Sequence, residues 1–340
     1  MKNNESFSDK LKGIVPYLIM AAFVLIVQVG SLWLSATEYI ASQPPLDNPE
    51  SIGYSIYYMI VILIFSAIVV FLFRKNKKFL VQGVILLSIC VTLFYVFMAV
   101  IDKAFGYSYY TIAFSILCSL ALTVLLYKYP EWYVIDAAGL LIAVGACSLV
   151  GVTLSYMPII VIMIGLLIYD FISVYKTKHM LTLAHGMMDL KLPILFVIPR
   201  KWNYSYIKED FAEEKEEAQS EAKAEAKSEN EMKTETENPA EENKTDKKKR
   251  KSDALFMGLG DAVIPTLLVI SSNHFLPHDG YISTPSLFAM IGTLVGFTAL
   301  MYVVSKGKPQ AGLPLLNTGT ILGFVIGVIV SGTAISINLI

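Results

Sequence analysis

Ile14-Val15-Pro16-Tyr17-Leu18-Ile19-Met20-Ala21-Ala22-Phe23-Val24-Leu25-Ile26-Val27-Gln28-Val29-Gly30-Ser31-Leu32-Trp33-Leu34 runs without a single charge. As a helix rising about 1.5 Å per residue it covers roughly 30 Å, the thickness of a bilayer's hydrocarbon core. It is too long for the apolar part of a cleaved signal and lacks a small-residue cleavage site, so it reads as a first spanning helix. Eight more apolar runs follow, at approximately 55–73, 79–100, 110–127, 133–153, 156–175, 254–276, 284–304 and 313–337. Only Gly151 to Tyr156 separates the fifth span from the sixth, which demands a tight turn, with Pro158 placed just inside the next helix.

Composition agrees with that reading. Of 340 residues, 55% are hydrophobic and only 16% charged, where a soluble domain carries about 25% charge. Mean hydropathy is +0.59. The predicted fold class is therefore an all-α polytopic membrane protein with nine transmembrane helices. Six spans lie in an N-terminal part, 1–178, and three in a C-terminal part, 254–340. Residues 179–200, moderately apolar and broken by Pro193, are expected at the membrane interface. Residues 201–253, dense in Glu, Lys and Ala, cannot bury enough surface to offset ordering entropy and are expected to form a disordered cytoplasmic loop. Cys90, Cys118 and Cys147 each sit inside an apolar run, with no disulfide or metal spacing. A net charge of −1 points to no class of partner, because the charges are segregated.

Basic residues set the orientation. Arg74 to Lys78, Lys176 with Lys178, Lys247 to Lys251, and Lys306 with Lys308 fall on one side if the N-terminus is cytoplasmic. The expected placement is a multi-pass protein of the cell membrane. Its N-terminus and its 176–253 loop are cytoplasmic, and its C-terminus is outside.

A charge inside a span is expensive and needs a reason. Most acids escape to helix ends, Asp136 at the start of span five among them. Asp170, in Leu166-Leu167-Ile168-Tyr169-Asp170-Phe171, and Asp261, in Gly258-Leu259-Gly260-Asp261, do not. Asp170 lies six residues before Lys176, and Asp261 eight after Asp253. Helical rise puts them roughly 9 and 12 Å from the cytoplasmic flank. Adjacent antiparallel spans can bring them face to face. Two carboxyls that close share a proton. One then takes a proton from water, while the other polarises a carbonyl, which is aspartic-protease chemistry. Gly258 and Gly260 remove bulk beside the carboxylate, so another backbone can approach. Pro265 removes a backbone donor just beyond it.

A Tyr-Asp in one span and Gly-Leu-Gly-Asp in the next resembles the presenilin and signal peptide peptidase family of intramembrane aspartyl proteases. That resemblance implies nine spans, catalytic roles for Asp170 and Asp261, and a supporting role for Tyr169. It also implies a substrate-positioning loop, Pro-Ala-Leu followed by Pro, at the ninth span. Here that loop reads Ala311-Gly312-Leu313-Pro314, so its Leu and last Pro match while its first two residues depart; Pro309 lies two residues upstream. The orientation resembles presenilin, whereas Leu192 to Pro199 resembles signal peptide peptidases, a mixture suggesting an archaeal presenilin-like branch.

The implied activity is endoproteolysis within or near transmembrane segments of membrane proteins, by water and an Asp-Asp pair. Expected partners are transmembrane-helix substrates and the lipid bilayer. No cofactor, metal or nucleic acid is expected, and self-association is left open. Substrate must unwind locally, and the expectation is that it adds as a strand near Leu313 and the end of span six. Two alternatives remain: a prepilin-type leader peptidase, which also uses Gly-x-Gly-Asp, and a proton-coupled transporter with two relay acids. The Gly292, Gly296, Gly319, Gly323 and Gly327 series reads as helix packing. Gln28 reads as an interhelical hydrogen bond, and Asn273 and His274 as interfacial. The run Lys247 to Lys251 reads as a topology signal that meets anionic lipid.

Overall fold

The computed structural model describes residues 7–44, 46, 48–75, 77–172, 195–199, 204–206, 254–305 and 312–333. Most of the expected disordered loop, most of the interfacial segment and Ala311 lie outside them; Tyr204 to Tyr206, expected in that loop, are described, and Tyr206 is buried. The elements are α1 (Phe7–Ser35), α2 (Glu38–Ala41), α3 (Ile52–Arg74), α4 (Lys78–Phe105), α5 (Tyr109–Lys128), α6 (Trp132–Thr153), α7 (Tyr156–Ile172), β1 (Leu195–Pro199), β2 (Ala254–Gly258), α8 (Leu259–Phe275), α9 (Thr284–Ser305) and α10 (Gly312–Ser331). Among the described residues seven helices, α1, α3, α4, α5, α6, α9 and α10, are long and apolar enough to cross a membrane. α7 and α8 have 17 residues each, about 26 Å of helix.

The helices agree with the apolar runs, with one local exception. Residues 254–258, expected as the start of a helix, form a strand instead. β2 pairs antiparallel with β1, in the register Leu195↔Gly258 to Pro199↔Ala254. Val197 and Ile198 are β-branched and favour a strand, and Phe196, Val197 and Ile198 are all buried. The all-α class thus gains a two-stranded sheet. The helical rise used to place Asp261 does not hold across β2, since a strand advances about 3.3 Å per residue.

α6 and α8 form the centre. α6 packs on α1, α4, α5 and α8, and α8 also meets α1, α7, α9 and α10. Serines and backbone carbonyls tie these helices where apolar side chains would meet lipid equally well. Ser148 Oγ donates to Ser31 O at 3.1 Å, joining α6 to α1. Ser55 Oγ donates to Pro158 O at 2.9 Å, joining α3 to α7. Gln28, expected to make such a bond, is fully buried with no hydrogen-bonding group on its amide among the described residues; the serine pair joins α1 to α6 instead. Asn273 closes the α8–α9 turn, accepting from Ser283 N at 2.7 Å and donating to Tyr281 O at 3.2 Å. The α6–α7 turn is as tight as expected, only Leu154 and Ser155 lying between the helices.

The α9–α10 pair is closest of all. A Cβ on Gly296 would lie 2.6 Å from Leu315 O, and one on Gly319 would lie 3.0 Å from Gly296 Cα. Gly292 and Gly323 likewise meet opposing backbone, and Thr293 and Thr320 hydroxyls bond across the seam at 2.9 Å. Gly319→Leu must drive the two backbones apart. We expect about 3 kcal/mol of destabilisation, read as a lower thermal unfolding temperature of the detergent-purified chain. An unchanged unfolding temperature would refute the seam.

Candidate active site

β2 delivers the chain into α8, and Asp261 falls in the first helical turn, where a negative group is favoured by the helix dipole. Gly258, extended at φ −61° and ψ 132°, is the residue at which strand becomes helix. Pro265, buried four residues on, cannot donate to the Asp261 carbonyl, which leaves the helix open just past the acid.

Two glycines from distant parts of the sequence close on the Asp261 carboxyl. A Cβ on Gly312 would lie 3.0 Å from Oδ2 and 3.1 Å from Oδ1, and one on Gly258 would lie 3.3 Å from Oδ2. Gly260 behaves differently. Its nearest neighbour would be Ile264 Cδ1 at 3.9 Å, so a side chain there would meet no close contact of the kind seen at Gly258 and Gly312.

Asp261 forms part of the wall of a cavity of about 170 Å³. β2 contributes Leu255 to Gly258, α1 contributes Tyr17 and Met20, and α9 contributes Phe297, Leu300 and Met301. Gly312 also reaches it, whereas Leu313 and Pro314 sit half-buried in the first turn of α10.

Asp170 lies near the end of α7 and is buried. α7 packs on both α8 and α10. Asn317 Nδ2 donates to Met163 O at 3.2 Å, tying the helix that begins at Gly312 to the one that carries Asp170. The helix that carries Asp170 thus packs directly on the helix that carries Asp261. Tyr169 is 45% exposed and turned away, as neighbours about 100° apart on a helix must be when one is buried. Among the described residues no group of three or more His, Cys, Asp or Glu assembles as a metal site.

One acid corrects the sequence reading. Asp136 does not escape to the helix end; it is 5% exposed, and its Oδ1 accepts from Val197 N at 2.8 Å. Its place near the start of α6 looked like a route to water, but β1 covers that end of the helix. The apolar walls from α1 and α9 were also invisible in sequence, because nothing in a lipid-compatible helix marks which face meets a cavity.

Comparison with known proteins agrees with this arrangement. Residues 20–333 match the family described as signal-peptide peptidase, presenilin aspartyl protease. Among solved structures, a presenilin family intramembrane aspartate protease in a C222 crystal form matches at 30% identity and a TM-score of 0.64, covering 93% of this chain and 99% of that one. A P2 crystal form described in the same words matches at 31% identity and 0.61, covering 92% and 97%. A search of curated proteins returned no match. The chain belongs to the signal-peptide peptidase and presenilin family of aspartyl proteases, and is a multi-pass membrane hydrolase of the aspartic endopeptidase class.

Proposed function

We propose that Asp170 and Asp261 are the catalytic pair, hydrolysing a peptide bond within or near a transmembrane segment of a substrate protein. The observation that carries this reading is the cavity whose wall Asp261 shares with Leu255 to Gly258 of β2, with Gly312 drawn against the carboxyl. Two carboxyls brought together in a low dielectric hold one proton between them. The ionised partner takes a proton from water. The protonated one donates to the scissile carbonyl and steadies the oxyanion as the tetrahedral carbon forms. Proton transfer to the departing amide nitrogen then completes hydrolysis.

A helical substrate hides its carbonyls in its own hydrogen bonds, so the segment to be cut must be extended. β2 offers backbone groups along one cavity wall, and an extended segment there adds as a third strand, passing between β2 and the first turn of α10 at Leu313. The chain crosses the membrane nine times, with N-terminus and the 176–253 loop cytoplasmic and C-terminus outside. It works without a cofactor, and its own association state is set aside from the chemistry.

The test is cleavage of a membrane-spanning reporter by the chain reconstituted in lipid vesicles, with the cut located by mass spectrometry. A cut inside the apolar segment supports the reading. A cut only at the cytoplasmic end of a leader would replace it with leader-peptidase activity. Proton flux without any cut would replace it with transport.

A further inference from the structure

Asp136 is a buried carboxylate that the proposed chemistry does not use. It sits in α6, and what it holds is β1. In the β1–β2 ladder Val197 stands opposite Phe256, yet the Val197 N–H points the other way, to Asp136 Oδ1 at 2.8 Å. The outer edge of β1 is therefore closed by a hydrogen bond to a side chain of α6.

The neighbouring residues fit the same purpose. One turn along α6, a Cβ on Gly139 would lie 3.2 Å from Phe196 and 3.5 Å from Leu259, so β1 and the first residue of α8 both press on α6 at that point. Phe196 also meets Phe23 of α1 edge-on at 5.1 Å. Ile135, Val197, Tyr206 and Ala254 form one small buried cluster. Just before α6, Glu131 accepts from Ser205 Oγ at 2.8 Å and from Tyr206 N at 3.2 Å. Two carboxyl side chains at one end of α6 thus hold Val197 of β1 and the residues Ser205 and Tyr206, and β1 carries β2 on its other side. β2 ends at Gly258, three residues before Asp261.

We propose that Asp136 is a positioning residue for the active site: by closing the outer edge of β1 it fixes the strand pair from which Asp261 is presented. It touches neither substrate nor reacting atoms. Without its acceptor, the Val197 N–H is buried and unpaired, and the strand pair relaxes away from α6. Asp261 moves with it, relative to Asp170 on α7. This role rests on the reading of Asp170 and Asp261 as the catalytic pair.

The experiment uses the full chain in lipid vesicles with a membrane-spanning reporter, measuring kcat and KM beside thermal unfolding. Asp136→Asn keeps an oxygen that can accept from Val197, and is expected to stay within about threefold of wild-type kcat. Asp136→Ala removes the acceptor and is expected to lower kcat on the order of 100-fold, the scale of an ångström-sized misplacement, in protein that still unfolds cooperatively. Asp136→Ser keeps a polar group but withdraws it from Val197; it is expected to match Ala, and carries the test if Ala does not fold. A purely structural role would lower the unfolding temperature and leave kcat of the folded fraction unchanged, which overturns the proposal. So does an Asn variant as inactive as Ala, because the carboxylate would then be needed for its charge. Asp261→Ala runs alongside. If it still cuts, the catalytic pair itself is wrong and this role falls with it. If it is dead while Asp136→Ala and Asp136→Ser are fully active, only the role of Asp136 is wrong.

Discussion

Asp261→Ala and Asp170→Ala each abolish cleavage of a membrane-spanning reporter while the purified chain unfolds at nearly the wild-type temperature. Positioned acid–base groups contribute roughly 10²–10⁴-fold each. In a pair that shares one proton, losing either member disables both functions, so each single variant falls by about 10⁴-fold or more. The double variant falls no further, since residues acting as one unit are not additive. Stability is spared for a separate reason. A carboxyl held away from water carries a desolvation penalty, and Ala removes the group together with the penalty. Initial-rate assays of the three variants, with unfolding followed in the same detergent, check both halves. Either single variant retaining more than about a tenth of wild-type kcat refutes the pair.

Gly312→Val is expected to be nearly as damaging, by a steric route. The first carbon of any side chain at 312 would lie 3.0 to 3.2 Å from the Asp261 oxygens and Cγ, tighter than ordinary contact. A lone methyl needs only a few tenths of an ångström of give, so Gly312→Ala, which restores the residue the family resemblance assigns to this loop, is expected to cost about threefold or less. Val adds two branches that cannot turn away together, and the carboxyl must leave its place. A displacement of about an ångström costs on the order of 100-fold in kcat. Because 312 is the first residue of α10, ahead of the glycine seam, unfolding should barely change. A Val variant with wild-type kcat would show that the glycine is unnecessary.

Most of the fold could be read from the sequence because a membrane leaves few choices: an apolar run must become a helix. Reading failed at Ala254 to Gly258, where the same apolar residues form a strand. Period alone cannot separate a short buried strand from the first turn of a helix, and the deciding partner, Leu195 to Pro199, is far away in sequence. Within the site, Asp170 and Asp261 stood out because a charge in a span demands an explanation. Asp136 did not, because at a helix start an acid already has one. Gly260 and Gly258 look equivalent in sequence, and only the arrival of Gly312 on one side of Asp261 tells them apart.

The glycine seam between α9 and α10 has a mechanical consequence. Contacts made backbone to backbone have no rotamers to rearrange, so these two helices move as one rigid lever. That lever carries two faces of the cavity, Phe297, Leu300 and Met301 on one arm and Gly312 with Leu316 on the other. The short connection before α9, where Asn273 clasps Ser283 and Tyr281, lies at the opposite end of α9 from these cavity residues, so a tilt of the hairpin as a unit about that connection would displace the cavity walls most.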